Sequence, residues 1–177
     1  MLETEQIRLR APEPEDLDIL YSWENDTELW HYGSTVAPYS RLTLRQYLID
    51  MQQQDFYQMR QLRFMIESKP QRLVVGNIDL YDYDPHNDRA AVGILIDEAY
   101  RKHSFGFQAI ELVKEYAFNF LDIHQLFAYV SVDNEKSLCL FRKAGFDISG
   151  TLKQWRKQNK SYKDVYLMQL ISDGQHE

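Results

Sequence analysis

Apolar and polar positions alternate with two different periods along this chain, and each change of period marks an element. Ile7-Arg8-Leu9-Arg10-Ala11 alternates with period two, which predicts a short strand. Pro12 to Pro14 interrupts it, and from Glu15 to Trp23 the residues Leu17, Leu20 and Tyr21 recur at helical spacing. Thr43 to Met51 predicts another short helix, with Leu44, Tyr47, Leu48 and Met51 on one stripe. Period two then returns. Arg63 to Ser68 ends at the turn Lys69-Pro70-Gln71, and Leu73 to Tyr83 predicts a long strand. After the dense turn signal Asp84 to Asp88, Arg89 to Asp97 predicts a further strand, rich in Val and Ile. Hairpins should join these segments into an antiparallel sheet.

The remainder alternates helix and strand. Gly106 to Leu121 predicts an amphipathic helix burying Phe107, Ile110, Val113, Ala117 and Phe120. Leu126 to Val132 is a continuous β-rich run. Asn134 then caps a helix that ends near Ala144-Gly145, where glycine suits a left-handed C-cap. Asp147 to Leu152 and Tyr162 to Ile171 predict two closing strands around the polar turn Lys157 to Ser161. An antiparallel meander followed by strand, helix, strand, helix and strand implies an α/β class, α+β by stricter bookkeeping. The expected architecture is a mixed, mostly antiparallel central sheet flanked by helices.

At 177 residues the chain suits one domain over 1–177. Its net charge of −7 excludes phosphate-backbone binding as the main role, so no nucleic-acid partner is expected. No apolar run approaches the roughly 18 residues of a membrane span, so no membrane partner is expected either. Met1 to Glu5 is acidic where a signal peptide would be basic and then apolar, which makes a cytoplasmic chain the expectation. The single cysteine, Cys139, forms no internal disulfide and is expected as a buried structural thiol. The histidines show no metal spacing, and no metal is expected.

One loop carries candidate chemistry. The predicted strand through Ile94, Leu95 and Ile96 leads into Arg101-Lys102-His103-Ser104-Phe105-Gly106-Phe107, which opens the long helix. A helix start presents unpaired N–H groups and partial positive charge, and a strand feeding it through small residues makes an anion site. Arg101, Lys102 and His103 add cationic donors, while Ser104 and Gly106 leave room for a phosphate. By itself the segment equally suits a basic strand-to-helix connection. It is neither a Walker loop nor a dinucleotide fingerprint.

The loop resembles the Arg/Gln-x-x-Gly-x-Gly/Ala segment of the GNAT family of N-acetyltransferases. Asn134-Glu135-Lys136-Ser137 through Phe141-Arg142-Lys143-Ala144-Gly145-Phe146 resembles that family's second signature. The resemblance implies a fold whose fourth and fifth strands splay apart to admit the pantetheine arm of acetyl-CoA, the cosubstrate. It further implies that the backbone of Ile94, Leu95 and Ile96 pairs with the arm. The segment Arg101, Lys102, His103, Ser104, Phe105 and Gly106 would hold the pyrophosphate. Asn134, Ser137, Phe141 and Lys143 would contribute from the second helix, where Asn134, Ser137 and Phe141 share one face. Ser104 departs from the family's glycine, at a cost if that position needs positive φ.

For the chemistry, the resemblance implies that the Leu95 N–H polarises the thioester carbonyl. The tyrosine that protonates the thiolate in many members is replaced by Phe141, which has no proton to give. Tyr129, Tyr81 and Tyr83 are alternative donors, each also a candidate packed aromatic. Asp82, and after it Asp79, are candidate carboxylates for binding or deprotonating the amine.

The acceptor stays open between two branches. Ile7-Arg8-Leu9-Arg10-Ala11 with Glu13, Asp16 and Leu17, followed by Trp23-Glu24-Asn25-Asp26, resembles ribosomal-protein N-terminal acetyltransferases. Asn134 to Ser137, Phe141 to Phe146 and Tyr162 to Val165 resemble spermidine/spermine N-acetyltransferases. The acidic stretch of the polyamine branch is missing, since the region reads Thr35 to Tyr39, although Glu24, Asp26 and Glu28 could form a cation-attracting rim. The alternative is an acyl-CoA-binding module without turnover. A homo-oligomer is compatible with the sequence.

Overall fold

The computed structural model describes residues 1–33 and 35–172. Its contacts divide the chain into two units, Met1–Ala11 with Arg60–Glu177, and Pro12–Met59.

The smaller unit is helical. The proline-flanked start forms a 3-10 turn over Pro14–Asp16, which Asp16 fixes by accepting the Glu13 N–H at 2.8 Å. Helices α1 (Leu17–Glu24), α2 (Thr27–Trp30), α3 (Arg41–Gln53) and α4 (Phe56–Met59) follow. The four-residue α2 and α4 are too short for any periodicity to announce them. Ser40 caps α3 by accepting the Thr43 N–H, and of the expected stripe Leu44 and Leu48 are buried. The Asn25 side chain ties α1 to the chain before α3. Its NH2 donates to the carbonyls of Tyr21 and Tyr39, and its oxygen accepts the Tyr39 N–H.

The larger unit is built on a sheet of seven strands among the described residues: β1 (Ile7–Arg10), β2 (Leu62–Ser68), β3 (Leu73–Asp84), β4 (Arg89–Ile96), β5 (Gln125–Ser131), β6 (Asp147–Gln158) and β7 (Ser161–Ile171). Their spatial order is β1-β2-β3-β4-β5-β7-β6. Only β4 and β5 run parallel, so the sheet is mixed and mostly antiparallel, as expected. Helix α5 (Phe105–Asn119) follows β4, and α6 (Glu135–Lys143) follows β5.

Alternation along the strands creates two unlike faces. The rows Phe64, Ile78, Ile94 and Leu62, Leu80, Val92 lie on one. Helix α5 covers it with Ala109, Ile110, Val113 and Ala117, and Phe64 meets Tyr116 edge-on at 5.6 Å. Phe120, expected on the buried stripe, is 62% exposed because the helix ends one residue before it. The other face carries the rows Arg63, Asp79, Gly93 and Tyr81, Ala91, Phe127.

The last hairpin also departs from expectation. β6 continues to Gln158 and turns through Asn159-Lys160, with Asn159 at φ 56°. β6 lies at the edge of the sheet, where a polar strand is tolerated, so composition alone resembled a loop.

Candidate active site

β4 and β5 pair only from Arg89 to Ala91 against Gln125 to Phe127. Beyond that point β4 continues along β3 to Ile96, and β5 along β7 to Ser131, but not along each other. The strands therefore open into a wedge with its apex at Ala91 and Phe127. Its wide end at Ile96 lies roughly 17 Å from the apex, at about 3.3 Å per residue.

Backbone parity decides which groups face this opening. The Asp97 N–H donates to the Val75 carbonyl at 2.9 Å, so Val75 and Asp97 form a hydrogen-bonded pair. Antiparallel pairing alternates, which makes Asn77 with Leu95, and Asp79 with Gly93, the next such pairs. Val92, Ile94 and Ile96 consequently turn their N–H and C=O groups toward β5; the Val92 N–H closes the Ala91–Phe127 pairing, and the groups of Ile94 and Ile96 face the wedge. The Ile96 carbonyl accepts Arg101 Nε at 3.2 Å from that side. This corrects the role expected of Leu95: its N–H belongs to the β3 ladder, and the first unpaired donor beyond the apex is Ile94.

At the wide end the expected loop meets the start of α5. Arg101 also reaches Glu98 at 3.6 Å, and Lys102 and His103 are exposed, with His103 stacked on Phe105 at 5.4 Å. Ser104 occupies the helix N-cap at φ 61°, ψ 10°, and its side chain makes no capping bond. The position thus does use the left-handed conformation that glycine would adopt without strain. The first N–H groups of α5 are left to any anion at the loop.

Gly106 serves differently from expectation. It is buried, and a Cβ there would lie 3.3 Å from Leu140 and 3.4 Å from Ile96. Its missing side chain lets α5 settle against β4 and α6. Lys143 lies over the first turn of α5, its ammonium 4.3 Å from the centre of the Phe107 ring.

Along α6, the Asn134 oxygen accepts the Ser137 N–H at 3.2 Å, and its NH2 remains as a donor. Phe141 is 4% exposed and packs edge-on against Phe146 at 5.1 Å. Cys139, expected to be buried, is exposed. It lies two positions from Phe141, on the solvent side of a helix whose Leu138 and Phe141 face inward.

Around the apex, charged and titratable side chains come from β2, β3 and β6. Both Asp79 oxygens accept from Arg63, at 2.7 and 2.8 Å, in a largely shielded pair. That carboxylate is already engaged. Asp82 is exposed at φ 49° in a bulge between Tyr81 and Asp84. Tyr83 is buried. Burial raises the Tyr81 phenol to about 12, Asp82 adds to the rise, and Arg156 of β6 opposes it. Burial in turn lowers the Arg156 guanidinium, against the influence of Tyr81. Gly93 and Arg156 were not singled out in the sequence, because each acquires meaning only beside Tyr81.

Residues 6–147 match the acetyltransferase (GNAT) domain family. The chain belongs to that family. It is an N-acetyltransferase, and its cosubstrate is acetyl-CoA. A spermidine N(1)-acetyltransferase of Escherichia coli is 25% identical over 168 residues, 95% of this chain and 87% of the relative. The uncharacterized N-acetyltransferase p20 of Bacillus licheniformis is 26% identical over 170 residues, 96% and 95% of the two chains. The fold matches the crystal structure of a spermidine N-acetyltransferase from Vibrio cholerae in complex with CoA and spermine. That match has TM-score 0.85 and 24% identity, and covers 95% of this chain and 96% of the other. It also matches a ribosomal-protein alanine acetyltransferase from Vibrio fischeri, with TM-score 0.83 and 18% identity over 97% and 96% of the chains.

Proposed function

We propose that this GNAT enzyme transfers the acetyl group of acetyl-CoA to a primary amine, a protein N-terminus or a polyamine such as spermidine or spermine. The observation that carries the proposal is the wedge, whose open β4 edge leads into the basic loop and the uncapped start of α5. Ile94 and Ile96 pair with the pantetheine arm. Arg101 through Gly106, with Lys143, face the pyrophosphate, and Asn134 donates from α6 beside Ser137 and Phe141. The Ile94 N–H polarises the carbonyl near the apex. Asp82 receives the amine proton through water, in preference to the occupied Asp79. The family match spans both units, which supports a single N-acetyltransferase domain over 1–177.

Two observations pull the acceptor in different directions. The 25% identity with a spermidine N(1)-acetyltransferase favours a polyamine. The charges at the apex favour a single amine: Arg63 neutralises Asp79, Arg156 is cationic, and Asp82 offers negative charge beside Tyr81. We take a single primary amine, such as a protein N-terminus, as the better reading. Release of CoA thiol with spermidine, spermine, aminoglycosides and N-terminal peptides tests it. Faster turnover of the peptides supports this choice, and faster turnover of spermidine reverses it. Tight acetyl-CoA binding with no release on any amine would leave only a binding module.

A further inference from the structure

We propose that the Tyr81 hydroxyl donates the proton to the departing CoA thiolate, the part for which Phe141 has no group. The inference rests on acetyl-CoA lying in the wedge with its thioester at the apex.

Position comes first. Tyr81 pairs with Ala91, and Ala91 with Phe127, so Tyr81 stands in the last row before the strands part. Its ring lies across β4 at Gly93. A Cβ on Gly93 would sit 3.2 Å from Tyr81 Cε1 and 3.8 Å from Cδ1. The ring edge nearest the hydroxyl therefore occupies the space that any other residue at 93 would fill. The phenol lies within electrostatic reach of Tyr129 of β5. By contrast, Phe141 is turned into the core against Phe146.

The charges around Tyr81 suit a donor. Burial, Asp82 and, more weakly, Tyr129 and Asp79 hold the phenol protonated up to about pH 12, with Arg156 as the opposing cation. Arg156 forms no ion pair among the described residues, so its charge is available to a phenolate.

The neutral amine nitrogen bonds to the thioester carbon, and the carbonyl pair moves to oxygen beside the Ile94 N–H of β4. As the intermediate collapses, the C–S bond breaks with its pair on sulfur, and the Tyr81 O–H proton passes to sulfur. A phenol is a weaker acid than a thiol, so this transfer is uphill by itself. It is completed because the phenolate takes back a proton, through water, from the cationic nitrogen, a far stronger acid. The products are the N-acetyl amine and CoA thiol, and Tyr81 is restored.

The test uses the full chain and any amine that it accepts. Tyr81→Phe should lower kcat tenfold or more, at the lower end of general-acid effects because a thiolate leaves readily. The acetyl-CoA Kd by calorimetry should stay within about twofold of the parent's. Replacing Tyr81 by 3,5-difluorotyrosine keeps the ring and makes the phenol more acidic. It should bring a high-pH loss of kcat into the measurable range, a shift that a purely structural ring would not produce. A Tyr81→Phe enzyme with kcat within twofold of the parent, or an unmoved profile in the fluorinated enzyme, overturns the proposal. Failure of the parent chain to bind acetyl-CoA would overturn the placement beneath it, and the proposal with it.

Discussion

The two ends of the wedge are built in opposite ways. The wide end is made by neighbours in the chain: Arg101 through Gly106 are consecutive, exposed or at a helix start, and act through charge and backbone N–H groups. The apex gathers Tyr81 from β3, Gly93 from β4, Tyr129 from β5 and Arg156 from β6, and works through a partly buried phenol in a setting of nearly balanced charge. A phosphate can be held by almost any loop that points N–H groups at it. A proton donor has to be aimed at one atom, and here aiming requires an absent side chain on a neighbouring strand.

Breaking the wide end should have the larger effect, and should act through folding. Gly106→Asp would place a carboxylate against the apolar side chains of Leu140, Ile96 and Ile94. An uncompensated buried charge costs on the order of 3 kcal/mol or more. Urea unfolding should therefore show a collapse of the midpoint, with acetyl-CoA binding lost alongside it. A variant of parental stability that merely bound acetyl-CoA less tightly would return Gly106 to the phosphate side of the loop.

Breaking the apex should leave folding nearly intact. Gly93→Ala puts a methyl 3.2 Å from Tyr81 Cε1, and the ring must swing off β4. Crowding of roughly 1–3 kcal/mol is partly offset by the gain of about 0.5–1 kcal/mol when alanine replaces glycine in a strand. Turnover should fall about tenfold while the KM for acetyl-CoA stays near the parent value. Steady-state kinetics beside a thermal melt separates the two effects. Unchanged kcat would mean that the Tyr81 hydroxyl is not aimed through the space at Gly93.

The same contrast explains what the sequence could disclose. The order of the strands and both long helices was legible because apolar periodicity and turn residues are local signals, as in α6 between Asn134 and Gly145. The loop could be read because its chemistry is contiguous. Backbone parity could not: a one-residue shift moved the donor role from Leu95 to Ile94, and no side-chain pattern records which way a strand's N–H groups point. The exposure of Cys139 and the polar length of β6 depend on what lies alongside them. Tyr81, Gly93 and Arg156 are far apart in the chain, so only the register of the sheet and the path of its last hairpin bring them together.

The smallest test returns to the wide end, at the residue that departs from the family pattern. Ser104 sits at φ 61° with no capping bond from its side chain. An L-residue in that conformation costs about 1–2 kcal/mol. Glycine avoids the cost but loses more freedom on folding, by about 0.4–1 kcal/mol. Ser104→Gly should therefore raise stability by roughly 0.5 kcal/mol, read as a higher urea midpoint at unchanged slope. If the serine only caps the turn, the acetyl-CoA Kd should change less than threefold, because the N–H groups of α5 remain. A tenfold loss of affinity with the same gain in stability would show that the Ser104 hydroxyl donates to the phosphate. The strain at this position would then be retained for binding, placing one aimed side chain at the end of the wedge that otherwise relies on charge and backbone.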